Sequence, residues 1–262
     1  MKVTRLISAF LVLMLIIGCV VSCGGEETDP VKLVENATNE TSKVPYSIEM
    51  DMSFTTNNTK YKSSFENMSI EDVKVSVDGK NVNLLMDMDI SGVKTNMEYT
   101  IFNRVMYVNM SLSGYGQNQT VKKKANMTAE EVREFLGDNG VESEIKVSDC
   151  AECSMLKDGD AYIITCTGIT DNIKEAMLDK VSGIGNGAEI EISDVTYKVK
   201  IKDGKYDGYY LYCDYVMTFD GEAVEFTMKV TMEFDYDEEV KICVPADADE
   251  YEEVDYSEIS GK

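Results

Sequence analysis

The stretch EAVEFTMKVTMEFDY (Glu222 to Tyr236) alternates apolar and polar residues without a slip, with Val224, Phe226, Met228, Val230, Met232 and Phe234 all in one phase. A strand sends successive side chains to opposite faces, so a strict period of two marks a strand with one face buried. The same period runs through YSIEMDMSF (Tyr46 to Phe54), VNLLMDMDI (Val82 to Ile90), KTNMEYTIF (Lys94 to Phe102) and VMYVNMSL (Val105 to Leu112). It returns over 161–169, 189–202, 205–219 and 239–244. Hairpin turn pairs separate these runs at Asp78-Gly79, Ser91-Gly92, Asn103-Arg104, Asp203-Gly204 and Asp220-Gly221. A further strand over 60–77 changes apolar phase between Ile70 and Val73, which predicts a bulge near Glu71-Asp72.

Two helices interrupt the strands. Thr128-Ala129-Glu130-Glu131 is a capping box opening a helix to Gly137, with Val132, Phe135 and Leu136 at helical spacing. A second begins at Thr170 or Asp171, carries Ile173, Met177, Leu178 and Val181 on one stripe, and ends at Gly183. The predicted fold is mainly β (α+β): one large curled antiparallel sheet, a half-open β-barrel with the two helices on its concave face. A flat sheet of about ten strands would be unusual, so curling is expected.

The N-terminus predicts an address. Lys2 and Arg5 precede an apolar run, Leu6 to Ile17, too short for the ~20 residues a membrane-spanning helix needs. With VVSC (Val20 to Cys23) behind it, the run reads as a lipoprotein signal peptide over 1–22, with Cys23 acylated and Cys19 the alternative. An ordinary secretory signal with incidental cysteines is the competing reading. The expectation is thus a chain held by acyl groups on the extracytoplasmic face of the cell membrane. Residues 23–44 are expected to be a flexible tether, 45–245 one domain, and 246–262 an acidic disordered tail.

Composition narrows the function. A net charge of −23 argues against nucleic acid, whose phosphates would be repelled. The chain has no histidine, which removes the usual general base and the imidazole zinc sites. No nucleophile stands beside a base at recognisable spacing, so a non-catalytic monomer without metal or cofactor is expected.

Methionine is the unusual choice. Fourteen of the sixteen lie after the leader, mostly in the apolar phase of strands. Their unbranched, polarizable side chains repack around variable guests more readily than Val or Ile. Met50 and Met52, Met86 and Met88, and Met97 with Tyr99 are therefore the predicted lining of a pocket for a lipid or other apolar molecule, together with Met217, Phe219, Met228 and Met232. A dry core uses the same residues, as does lineage bias. Tyr99, Tyr197, Tyr209, Tyr215 and Phe219 are placed at the rim, as amphipathic rings often are.

Cys150-Ala151-Glu152-Cys153 is half a zinc site at most and lacks the strand-to-helix setting of a redox pair. With Cys166, Cys213 and Cys243 it reads as structural disulfides or inert thiols, with metal and redox chemistry as lesser alternatives. Sequons at Asn36, Asn39, Asn57, Asn67, Asn109, Asn118 and Asn126 suit surface glycosylation, although Asn/Ser/Thr-rich strands also produce them.

The layout resembles the LolA, LppX and LprG group of lipoprotein-carrier-like proteins, and more closely uncharacterised Gram-positive and archaeal lipoproteins of similar length. The resemblance spans about 45–245 and rests on Val20 to Cys23, YSIEMDMSF, VNLLMDMDI, the central helices and VKICVP (Val240 to Pro245) before the acidic tail. It implies an unclosed barrel, a helical lid and an apolar cavity for acyl chains. Soluble LolA carriers lack an anchor, so the lipid-anchored relatives are the nearer comparison. The competing expectation is a surface structural or protein-interaction module with a filled core.

Overall fold

The computed structural model describes residues 29–59, 68–90, 92–136, 150–169, 189–219 and 221–260. The alternating stretches form β1 (Tyr46–Thr56), β2 (Met68–Asp78), β3 (Asn81–Ile90), β4 (Val93–Phe102), β5 (Val105–Gly114) and β6 (Gln117–Asn126). After a break come β7 (Cys150–Asp158), β8 (Ala161–Ile169), β9 (Glu189–Lys202), β10 (Lys205–Phe219), β11 (Glu222–Asp235) and the short β12 (Glu252–Glu253). Described helices are α1 (Pro30–Thr41), α2 (Ala129–Leu136) and α3 (Tyr256–Ser260), with one 3₁₀ turn at Ala248–Glu250.

All twelve strands belong to one sheet, in the order β12-β6-β5-β4-β3-β2-β1-β11-β10-β9-β8-β7. Two meanders, β1 to β6 and β7 to β11, join where β1 pairs antiparallel with β11. Only the β12–β6 pairing is parallel. β7 and β12 end the sheet without meeting, so it is an open, mainly antiparallel sheet as expected. Turn chemistry enforces the hairpins: Asp203 and Gly204 have φ of 51° and 74°, the left-handed pair that a type I′ turn requires. The bulge is present too. Register slips between Met50 and Met52 against β2, and between Glu71 and Lys74 against β3.

One face of the sheet is apolar. Across β1 and β11, Met50 opposes Met232, Met52 opposes Val230 and Phe54 opposes Met228; across β3 and β4, Met86 opposes Met97. These residues, apart from half-buried Phe54 at the margin, make one buried cluster with Ile164, Cys166, Val199, Leu211 and others, which α1 joins through Val34 and Ala37. Full burial of each such side chain contributes roughly 1.5–3 kcal/mol. A second cluster extends the same face beside the β4–β5 turn, where Ile101, Met106 and Val108 meet Met127 and Val132, with Phe135 of α2 and Tyr256 and Ile259 of α3 packed against them. The predicted capping box of α2 is formed: Thr128 N donates to Glu131 Oε2 at 2.6 Å, and Glu131 N donates to Thr128 Oγ1 at 3.1 Å. The expected second helix, from 170 to 183, lies outside the described residues.

Three expectations need correction. Residues 30–41 of the expected tether are helix α1, not coil. Asp29 Oδ1 caps it by accepting from Val31 N at 2.9 Å, and Pro30 starts it. Its buried side is Val34, Ala37 and Thr41, a stripe at helical spacing hidden from a hydropathy reading by its small and polar members. Tyr206 fastens it, donating its hydroxyl to Val34 O at 3.2 Å while its own backbone N–H donates to Thr41 Oγ1 at 3.1 Å. The strand expected over 239–244 is absent, and that segment runs without regular structure although Ile242 is buried.

The acidic tail is the third correction, because it is ordered. Lys122 of β6 pairs with Asp247 and Glu250 at 2.5 Å each, and Lys124 Nζ donates to Ala248 O at 3.3 Å. Tyr251 is buried edge-on against Tyr107 at 5.5 Å, and Val254 N donates to Lys124 O at 3.0 Å. The tail therefore wraps the β6 edge from one face to the other. Like charges that would repel each other in isolation are held by a lysine row.

That clasp is pH-dependent. The Asp247 carboxyl is held below the ordinary carboxylate range, chiefly by the hydrogen bond from Lys122, whose own ammonium is pushed up by Asp247 and Glu250. A depressed carboxylate contributes stability above its unfolded value, about 3.9, and loses it as pH falls through the lower folded value. The ring NMR signals of Tyr251 are expected to move toward solvent-exposed positions below about pH 4, and to have moved already at neutral pH in Lys122→Met. Signals that stay flat to about pH 2 would contradict the clasp.

Candidate functional site

The structure brings most of the predicted pocket residues together. Met50, Met52, Met86, Met88, Met97, Met228 and Met232 are all in the main cluster, and none is more than 9% exposed. Tyr99 packs half-buried at its margin, and burial pushes its phenol above the ordinary tyrosine range. Met217 is half-buried outside the cluster, and the side chain of Phe219 lies outside the described residues.

Of the residues expected at an aromatic rim, Tyr197 and Tyr209 lie inward instead. Tyr197 and Tyr209 are buried and stacked at 5.8 Å; Tyr206 lies 4.9 Å from Tyr209, and Phe234 5.7 Å from it. These rings fill the space where α1 docks. Tyr215 stacks on Phe226 at 5.4 Å. Rings in the apolar phase of long central strands are carried inward with their neighbours, so alternation outweighs any preference for an interface.

Among the clefts on the described surface, two are lined chiefly by the opposite, polar face of the sheet. One, of about 490 Å³, has Thr55, Tyr212, Asp214, Glu225 and Thr227 among its walls. Asp214 accepts there from Thr227 Oγ1 at 2.6 Å and from the Tyr212 hydroxyl at 3.1 Å. The other, of about 330 Å³, includes Lys74, Leu85, Asp87, Asn96 and Asn109, with Met86 and Met97 beneath. Neither cleft was legible beforehand, since polar-phase residues read only as solvated.

The cysteines hold a surprise of topology. None of the five described cysteines is in a disulfide. Cys153 on β7 sits directly across from Cys166 on β8, and the sulfurs of Cys150, Cys153 and Cys166 all lie within 4.8 Å of one another. Burial pushes the Cys153 thiol up; the Cys166 thiol is pushed up by its hydrogen bond with Cys150 and by burial, and Cys213 to about 12 by burial. A protonated thiol is a poor nucleophile, so Cys153, Cys166 and Cys213 are not poised for attack at neutral pH. Reading Cys150 and Cys153 as half a site missed the third sulfur because β7 has too few apolar residues to signal a strand.

Among the sequons, Asn57, Asn118 and Asn126 are exposed and Asn109 is half-buried in the smaller cleft. Asn67, Cys19 and Cys23 lie outside the described residues. No helix among the described residues is long and apolar enough to cross a membrane.

Fold and site together define an open, mainly antiparallel single-sheet protein with a methionine-rich apolar face. No family model and no curated protein matches the chain. Among solved structures, the dehydratase domain of the CurJ module of curacin polyketide synthase is 6% identical, with 73% of this chain and 76% of that one covered, at a TM-score of 0.14. A 12:0-ACP thioesterase from Umbellularia californica is 12% identical over 81% and 79%, at a TM-score of 0.13. Overlaps this loose carry no argument about function.

Proposed function

We propose that the chain is a non-catalytic extracytoplasmic lipoprotein, anchored through Cys23, whose methionine-lined sheet face receives a lipid or another apolar molecule. The observation that carries this reading is the convergence of seven methionines from β1, β3, β4 and β11 on one face. Thioether side chains can exchange one set of contacts for another at little cost, so such a face is able to part around a guest. The likeness to LolA-type carriers points the same way. If Cys23 is the anchor, α1 leaves only about six residues before the fold, a reach of roughly 20 Å. A leash that short keeps the protein at the bilayer surface and suits local exchange rather than transport over distance.

Native mass spectrometry of the full-length protein extracted from its own membrane tests this. A co-purifying mass that organic solvent removes, and that a fatty acid or phospholipid restores, is expected. A chain that is always ligand-free and never takes up either would overturn the proposal. The second reading, a surface structural or interaction module, is favoured by the near-complete burial of the same methionines. It would then stand alone.

A further inference from the structure

We propose that Cys150, Cys153 and Cys166 form a three-sulfur site for a soft d¹⁰ metal cation, with monovalent copper the best match. On a regular strand residues three apart face opposite sides, so Cys150 and Cys153 should be separated. They are brought together at a local kink. Between the Cys150–Ile169 and Glu152–Thr167 pairs, Gly168 takes φ of 65°, and a β-carbon there would stand 3.0 Å from the Ala151 methyl. The conformation demands glycine, and its effect is to place Cys150 on the side of the sheet that holds Cys153 and Cys166.

Distances fit a metal. With metal–sulfur bonds near 2.3 Å, a trigonal centre sets its sulfurs about 4 Å apart. The three observed sulfurs, all within 4.8 Å of one another, need contract by less than about 1 Å to reach that. Thiolates select soft ions, and three of them saturate trigonal copper(I), whereas tetrahedral zinc needs a fourth ligand that a chain with no histidine would take from water or a carboxylate. Burial supplies the remaining requirements. Cys166 is buried in the core cluster and Cys150 packs against it, which gives the site a dry, rigid floor, while exposed Cys153 leaves a path from solvent. Binding forms up to three copper–sulfur bonds and releases the displaced thiol protons to water. No electron is transferred, because copper enters already monovalent.

The test is anaerobic titration of the reduced full-length chain with copper(I) against a coloured copper(I) chelator, followed by X-ray absorption of the bound metal. One copper per chain with three sulfur neighbours is expected. Cys153→Ser, at an exposed position and with thermal unfolding as the check on folding, should weaken retention by about tenfold or more. Cys243→Ser, at an exposed position outside the three-sulfur group, should leave retention as it is. No retained copper, retention indifferent to Cys153→Ser, or alkylation mapping that finds two of the three sulfurs already joined in chain purified under nitrogen would each overturn the site.

Discussion

Replacing Met86 with alanine is expected to lower the unfolding free energy by about 2–5 kcal/mol, while the same change at Met217 costs under about 1 kcal/mol. Met86 is 1% exposed and paired with Met97 across the centre of the β3–β4 ladder, so its removal leaves a hole that rigid neighbouring strands cannot close. Met217 is half-buried near the end of β10 and outside the cluster. Met86→Leu, which conserves volume, should stay within about 1.5 kcal/mol of the parent. Equilibrium urea unfolding separates these outcomes. Equal costs at Met86 and Met217 would mean that the cluster is not the load-carrying core of the fold.

Truncation after Pro245 is the second change with a large expected effect. The tail covers the β6 edge, and Tyr251 alone, buried against Tyr107, contributes on the order of 3 kcal/mol. An uncovered edge offers unpaired N–H and C=O groups to another chain. The truncated protein is therefore expected to unfold at lower temperature and to self-associate on light scattering. A truncated chain that stays monomeric with an unchanged melting temperature would refute the clasp.

Much of the sheet could be read from the sequence because alternation is a direct imprint of one buried face. β1, β3 to β5 and β8 to β11 fall where Val, Met, Tyr and Phe alternate with charges. The strands that escaped lack that imprint for physical reasons. β6 (QNQTVKKKAN) has only Val121 and Ala125 to bury, its lysines serving the tail instead, and β7 is an edge with little apolar surface to hide. Helix α1 escaped because Ala37 and Thr41, small and polar, can line a buried stripe only where a tyrosine such as Tyr206 meets them. The acidic tail escaped because its stability depends on Lys122 and Lys124, more than a hundred residues away. Which methionines share a face was legible from their phase. That Cys166 joins Cys150 and Cys153 was not, since it depends on the register of a strand whose composition is silent.

Seven core-face methionines offer a direct probe of the proposed occupancy. With ¹³C-methyl methionine in the full-length protein, addition of a long-chain fatty acid in stages should shift or broaden the ε-methyl resonances of Met50, Met52, Met86, Met88, Met97, Met228 and Met232 together, while that of half-buried Met217 stays in place. If the seven methyls are unmoved at saturating fatty acid and phospholipid, the apolar face is a closed core and the protein carries nothing there.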